Sequence, residues 1–226
     1  MSEQKPNLVS PEGFGPEDFA AATAVSRETL RRLQVYAEML AASPHNLVSK
    51  ASLTEVWHRH FLDSAQLAPL IPETAGTLAD LGSGAGFPGL VLAIMQPRLS
   101  VSLFEATRKK AEFLQAVASR LGLNVTVRNE RIEAAAKEGF DVITARAFAP
   151  LPELLAYAQK LAKPQTIGLF LKGQSHSAEL TEAACGWNMH LWKHVSLTHP
   201  LGVVLEIRKL THIANKHVSS KYASSR

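Results

Sequence analysis

Residues able to do chemistry gather at a few points of this 226-residue chain. One is a carboxylate running into glycines, Asp80-Leu81-Gly82-Ser83-Gly84-Ala85-Gly86-Phe87-Pro88-Gly89. A second carboxylate, Glu105, closes the apolar run Val101-Ser102-Leu103-Phe104. Arg59, His60 and Asp63 share one helical neighbourhood by i,i+3 and i,i+4 spacing. Glu133, Arg146 and Lys172 each follow a short apolar stretch. The glycine run reads as a strand end, a tight turn and a helix start. Gly82, Gly84 and Gly86 permit positive φ and let a ligand approach the backbone without a Cβ in the way. Pro88 suits a first helical position, and Leu90, Val91, Ile94 and Met95 continue a helix that stops before Pro97. A strand, a glycine turn and a helix start make a nucleotide-type pocket at the carboxyl edge of a sheet.

Two cofactor patterns compete for this loop. From Gly84 to Gly89 it matches the dinucleotide pattern G-x-G-x-x-G. From Asp80 it matches the acidic-x-G-x-G-x-G loop of S-adenosylmethionine-dependent methyltransferases. The dinucleotide pattern places a pyrophosphate where Phe87-Pro88 interrupts the segment. The second pattern also accounts for Asp80, a buried-strand carboxylate that needs a partner. It can brace the loop and favour the ammonium end of a cofactor that carries no phosphate. Glu105, one βα unit later, can accept hydrogen bonds from both ribose hydroxyls in either case.

The elements that position these groups follow from periodicity. Residues 1–18 hold three prolines and few core formers and read as a loose arm. A helical extension spans 19–76, with one helix from Ser26 carrying Leu30, Leu33, Ala37 and Leu40 and a second from Thr54 to Ile71. Residues 77–210 alternate strand and helix, as in an α/β domain with a parallel sheet. Its helices cover Arg108–Leu121 and Leu151–Leu161, and its later strands are Val125–Val127, Phe140–Ala145 and Ile167–Leu171. His190–Ser196 and Val203–Lys209 read as a closing hairpin packed by Trp187 and Trp192. Residues 211–226 read as a basic, disordered tail. Asp80, Glu105, Glu133, Arg146 and Lys172 then fall at carboxyl ends of strands, where open α/β sheets bind ligands.

Composition narrows the classes. The net charge of +4 leans mildly toward polyanionic partners. No apolar run approaches the ~20 residues of a membrane span, and the polar N-terminus does not read as a signal peptide. The single cysteine, Cys185, excludes an internal disulfide and fits a reducing cytoplasm. The nine histidines show no metal-ligand spacing, so no metal is expected. The chain lacks an Asp/Asn-Pro-Pro-aromatic motif, expected for methylating exocyclic amino groups, and a strand-end cysteine of the sort used on pyrimidine carbon-5.

Six segments appear in order: Asn46-Leu47-Val48-Ser49, Arg59-His60-Phe61-Leu62-Asp63-Ser64, the loop Asp80 to Gly89, Arg131-Ile132-Glu133, Ala145-Arg146-Ala147-Phe148 and Leu171-Lys172-Gly173-Gln174. Over about residues 30–210 they resemble the bacterial small-subunit ribosomal RNA guanine-N7 methyltransferases, the glucose-inhibited division protein B family. The resemblance implies an α/β class I methyltransferase fold, with a Rossmann-like, mostly parallel seven-stranded sheet and an N-terminal helical extension. It implies S-adenosylmethionine as cofactor and 16S rRNA or the small ribosomal subunit as partner, with methylation of N7 of one guanine in the decoding-region loop. Gly82 and Phe87, with Asp80, Gly84, Gly86 and Glu105, would hold the cofactor. Ile132-Glu133 would border its adenine, and Arg146 would sit between cofactor and RNA. Arg59, Arg146 and Lys172 are expected to meet RNA, and Arg146, Lys172, His60 and Asp63 to serve the reaction. Two departures stand out. Asn46 precedes Leu-Val-Ser where the family commonly has Leu-Thr, and the ribose carboxylate is glutamate where aspartate also occurs. A monomer is expected. A methyltransferase for a small molecule or protein, and a non-catalytic RNA-binding assembly factor, are the rival readings.

Overall fold

The computed structural model describes residues 12–213. Seven strands form one sheet in the order β3-β2-β1-β4-β5-β7-β6. They are β1 (Thr77–Leu81), β2 (Ser100–Phe104), β3 (Val125–Arg128), β4 (Phe140–Arg146), β5 (Ala162–Lys172), β6 (Trp187–Val195) and β7 (Val203–His212). The first five run parallel, and β7 lies antiparallel to both β5 and β6. The expected closing hairpin is therefore inserted into the sheet, with β7 inside and β6 at the edge. The chain leaves β1 toward β2 on one side and returns to β4 on the other. That reversal opens the crevice where such sheets bind ligands. Leu81, Phe104 and Ala145 are register partners at the three strand tips around it.

Alternate β1 residues point to opposite faces of the sheet. Leu78 joins a core with Leu90, Val101, Leu103 and Leu114, and Ala79 and Leu81 join another with Ile143, Leu154 and Leu205. Four helices follow the sheet strands: α5 (Gly89–Met95), α6 (Arg108–Leu121), α7 (Leu151–Leu161) and α8 (His176–Ala183). The sequence reading did not anticipate α8, whose short run HSAELTEA buries only Ala183. Pro88 stands just before α5 rather than at its first position.

The N-terminal extension covers the first core. Its helices are α1 (Pro16–Thr23), α2 (Arg27–Ala41), α3 (Lys50–Thr54) and the three-residue α4 (Asp63–Ala65). The expected arm 1–18 overlaps α1, which is anchored by fully buried Phe19; residues 1–11 lie outside the described residues. Ser26 caps α2 by accepting from the Thr29 N–H, and Ser49 caps α3 by accepting from the Ser52 N–H. The single helix expected from Thr54 to Ile71 is broken instead. A π turn occupies Trp57–Leu62 before α4, and a 3₁₀ turn follows at Ala68–Leu70. Phe19, Tyr36, Phe61 and Leu33 are all fully buried in the core that also holds Leu90 and Val91. Truncating one such aromatic typically costs about 3–5 kcal/mol, so the extension and the sheet share one stability. Of the expected tail, β7 claims Thr211 and His212; residues 214–226 lie outside the described residues.

Candidate active site

Two clefts meet at the tip of β4 and share its wall, Arg146 to Pro150. The first, about 560 Å³, lies against the glycine loop and is lined by Gly82, Ser83, Gly84, Phe87, Glu105, Ile132 and Glu133. The second, about 680 Å³, is bounded by Asp63, Lys172, Gln174, Glu179 and the β6–β7 loop residues Ser196, His199 and Gly202.

The glycine loop is shaped by what stands behind it. Gly82 has φ +65°, and a Cβ there would lie 2.2 Å from the Phe148 ring. At Gly84, φ +59°, nothing comes nearer than 3.8 Å, so this side of the loop is open. The Gly84 N–H donates to Glu105 Oε2 at 2.9 Å and the Thr107 N–H to Glu105 Oε1 at 2.7 Å. Glu105 thus ties the loop to the β2 tip while bordering the first cleft. Two expectations change here. Gly86 is not part of the cleft lining; a Cβ there would strike Leu90 and the Tyr36 hydroxyl. Asp80 does not reach the cleft either. It is fully buried under α5, accepting from the Gly89 N–H at 3.2 Å and the Thr144 hydroxyl at 2.8 Å. Burial pushes its carboxyl up to about 6 against the pull of those hydrogen bonds.

Arg146 organises the junction. Its Nη1 donates to the Arg59 carbonyl at 3.0 Å and to Asp63 Oδ2 at 3.2 Å, and its Nη2 pairs with His60 Nδ1 at 2.8 Å. A guanidinium only donates, so His60 Nδ1 accepts and the ring proton sits on Nε2. Burial first, then the Arg146 charge, lowers the His60 pKa to about 3, and the ring is neutral. His60 stacks on Phe87 with centroids 4.8 Å apart, and the Arg146 guanidinium lies 5.1 Å over the same ring. Phe87 is also stacked on Tyr36 at 5.4 Å, and the Tyr36 hydroxyl donates to the Ala85 carbonyl at 2.6 Å. Phe87 is therefore core and cleft lining together.

Several assignments are revised by this geometry. Arg59 meets Arg146 through its carbonyl, and its own side chain is exposed beside Glu55. The π turn has a role here: the Asp63 N–H reaches back to the His58 carbonyl, which shifts the helix phase where His60 and Asp63 both reach Arg146. Asp63 Oδ1 also accepts from Thr198 across the molecule at 2.6 Å and from nearby Gln66 at 3.0 Å. Lys172 is not a free charge on the rim. Its Nζ donates to the Ala149 carbonyl and to Glu179 Oε2, both at 2.7 Å, with the side chain only 10% exposed. Trp192 meets only hairpin neighbours among the described residues and remains 47% exposed. Ile132 is buried and Glu133 exposed, and both line the first cleft. Sequence reasoning gave no role to Thr144, Thr198 and Glu179, whose parts in the site exist only through pairing with distant residues. Among the described residues, no cluster of three His, Cys, Asp or Glu could hold a metal, and no helix is long and apolar enough to cross a membrane.

A seven-stranded sheet with a reversed β7, a glycine loop at the switch point and a carboxylate at the β2 tip defines a class I methyltransferase. Solved structures agree on the fold. The chain resembles a ribosomal protein L11 methylase from Lactobacillus delbrueckii subsp. bulgaricus, with TM-score 0.54 and 14% identity over 72% of this chain and 80% of that one. It also resembles the T. thermophilus 16S rRNA N2 G1207 methyltransferase solved with AdoMet and guanosine, with TM-score 0.50 and 15% identity over 65% and 38% of the two chains.

The family model GidB, rRNA small subunit methyltransferase G, matches residues 29–209. Proteins named ribosomal RNA small subunit methyltransferase G are similar in sequence. That of Parvibaculum lavamentivorans is 47% identical, covering 88% of this chain and 92% of its own, and that of Paramagnetospirillum magneticum is 47% identical, covering 88% and 97%. The chain belongs to the rRNA small subunit methyltransferase G family.

Proposed function

We propose that this protein methylates N7 of a single guanine in the decoding-region loop of 16S rRNA, with S-adenosylmethionine as donor. The carrying observation is the pair of clefts joined at the Arg146–Pro150 wall, one suited to a nucleoside cofactor and one to a base. The first cleft fits the donor. Each Glu105 oxygen holds one backbone N–H and retains capacity for a ribose hydroxyl. Gly84 leaves room beside it, and Ile132 offers apolar surface for an adenine. When bound, S-adenosylmethionine supplies an electrophilic methyl on a sulfonium.

Guanine N7 carries an exposed lone pair and loses no proton on attack. The chain's own groups suit that economy. Asp63 and Glu179, the carboxylates of the second cleft, are committed to Arg146 and Lys172. His60 Nδ1 is committed to Arg146. His199 Nδ1 accepts from the Leu201 N–H, so the neutral ring presents an N–H rather than a base. Arg146 orients the purine against the first cleft, and Asp63 balances its charge so that the wall tolerates the positive ring that forms. The ring keeps the methyl, and the sulfur keeps the bonding electron pair.

The test uses small subunits and rRNA from cells lacking this protein, incubated with it and methyl-labelled S-adenosylmethionine, then mapped by cleavage at N7-methylguanine. Label at one guanine of the decoding-region loop is the expected result. Label on another atom or RNA, or none with cofactor binding intact, overturns the proposal.

A further inference from the structure

Among the described residues, the large apolar side chains standing exposed are Trp192, Val195, Leu197 and Leu201, and all lie on one hairpin of β6, its loop and β7. β6 is the sheet edge, so one side of this hairpin has no neighbour. Trp192 and Val195 stand on opposite faces of β6, and Trp192 shares its face with His190, His194, Glu206 and Arg208. The chemistry of the hairpin is one-signed. From Trp187 to His212 the only carboxylate is Glu206, against Lys193, Arg208 and Lys209. Glu206 is buried and spent on holding its neighbours, accepting from His194 Nε2 at 2.8 Å and Arg208 Nε at 2.7 Å. So held, the Arg208 guanidinium lies 5.6 Å over the Trp192 ring, and His190 meets that ring edge-on at 6.3 Å.

We infer that Trp192 and Arg208 form a stacking platform for single-stranded RNA flanking the methylated nucleotide. An aromatic ring and a fixed guanidinium beside it offer a base two planar surfaces and its phosphate a cation. No exposed carboxylate on the hairpin repels the backbone. A second copy of the chain docking here would set like charges face to face, which disfavours self-association. The location fits as well. Ser196, His199 and Gly202 of the same loop line the second cleft. Trp192 lies four residues back along the chain from Ser196, ~13 Å in extended strand, so RNA leaving the cleft along the hairpin reaches the ring.

The inference rests on the proposed RNA substrate, and its test separates the two. A short single-stranded fragment of the target loop is titrated onto wild type, Trp192→Ala, Trp192→Phe and Arg208→Ala, and each is assayed on small subunits. The alanine variants should bind the fragment roughly tenfold more weakly and raise KM for subunits to match. Turnover at saturating RNA should stay within about twofold, as expected when binding is lost uniformly. Trp192→Phe should restore most of the affinity, and S-adenosylmethionine binding should be equal in all four. Unchanged fragment affinity and KM in both alanine variants overturns the platform while the methylation reading stands. So does a wild-type dimer that becomes monomeric in Trp192→Ala with RNA affinity intact. If wild type labels no rRNA the methylation reading falls, and fragment affinity still judges the platform.

Discussion

Asp80→Asn offers a quantitative test of how the glycine loop is held. The carboxyl is fully buried, and burial raises its pKa from 3.8 to about 6. Between those values the folded protein holds a proton that the unfolded chain releases. The stabilising contribution is therefore complete below pH 3.8 and lost as pH rises through about 6. The whole shift corresponds to about 3 kcal/mol, of which about 1.4 kcal/mol disappears between pH 5 and 7.5. An asparagine can keep the contacts without the charge. Its oxygen accepts from the Gly89 N–H, and its amide donates to Thr144 Oγ1, whose hydrogen turns to the Ala79 carbonyl 3.5 Å away. Alanine cannot: the Thr144 hydroxyl still has the Ala79 carbonyl, but the buried Gly89 N–H is left unpaired at about 1–3 kcal/mol. Urea unfolding at pH 5 and pH 7.5 reads both effects. Relative to wild type, Asp80→Asn should gain about 1–2 kcal/mol as pH rises, and Asp80→Ala should be less stable at both. A pH-independent difference for asparagine, or asparagine as damaging as alanine, would refute the account.

Three further outcomes follow from the same geometry. Gly82→Ala forces a methyl into the Phe148 ring at a φ of +65°, so stability should fall by about 2–4 kcal/mol with loss of S-adenosylmethionine binding by calorimetry. Arg146→Ala should lower turnover about 100-fold while cofactor affinity changes little; near-normal turnover would reduce Arg146 to a structural brace. Lys172→Met removes the cation between Glu179 and the Ala149 carbonyl, leaving Glu179 only the Leu151 N–H and the Ser175 hydroxyl, costing about 1–3 kcal/mol in unfolding experiments. Because Lys172 is already paired, the salt dependence of RNA binding should keep its slope; a slope reduced by about one would show a phosphate contact instead.

The parts of this site that sequence disclosed are those written in adjacent residues. The glycine loop, Glu105 and Arg146 each sit at the end of an apolar strand, and a period-2 or continuous apolar run announces where such an end falls. The register that aligns Leu81, Phe104 and Ala145 follows from parallel pairing of those runs. What stayed hidden depends on residues far apart in the chain. Lys172 read as a free cation because its partner Glu179 sits on α8, whose sequence carries little amphipathic pattern. Asp80 read as a cofactor contact because nothing local tells that Thr144, on another strand, would claim it. The π turn was invisible because the run Trp57–Leu62 has ordinary helical composition, and its extra residue per turn is imposed by packing.

The shared core of extension and sheet also sets a schedule for synthesis. Tyr36 and Phe61 leave the ribosome before their partner Phe87, and Tyr36 precedes the Ala85 carbonyl it binds by 49 positions. At ~5–20 residues per second this is roughly 2–10 s in which an aromatic-rich segment has no sheet to cover. The aromatic face of the extension is therefore covered only once β1, the glycine loop and α5 have emerged.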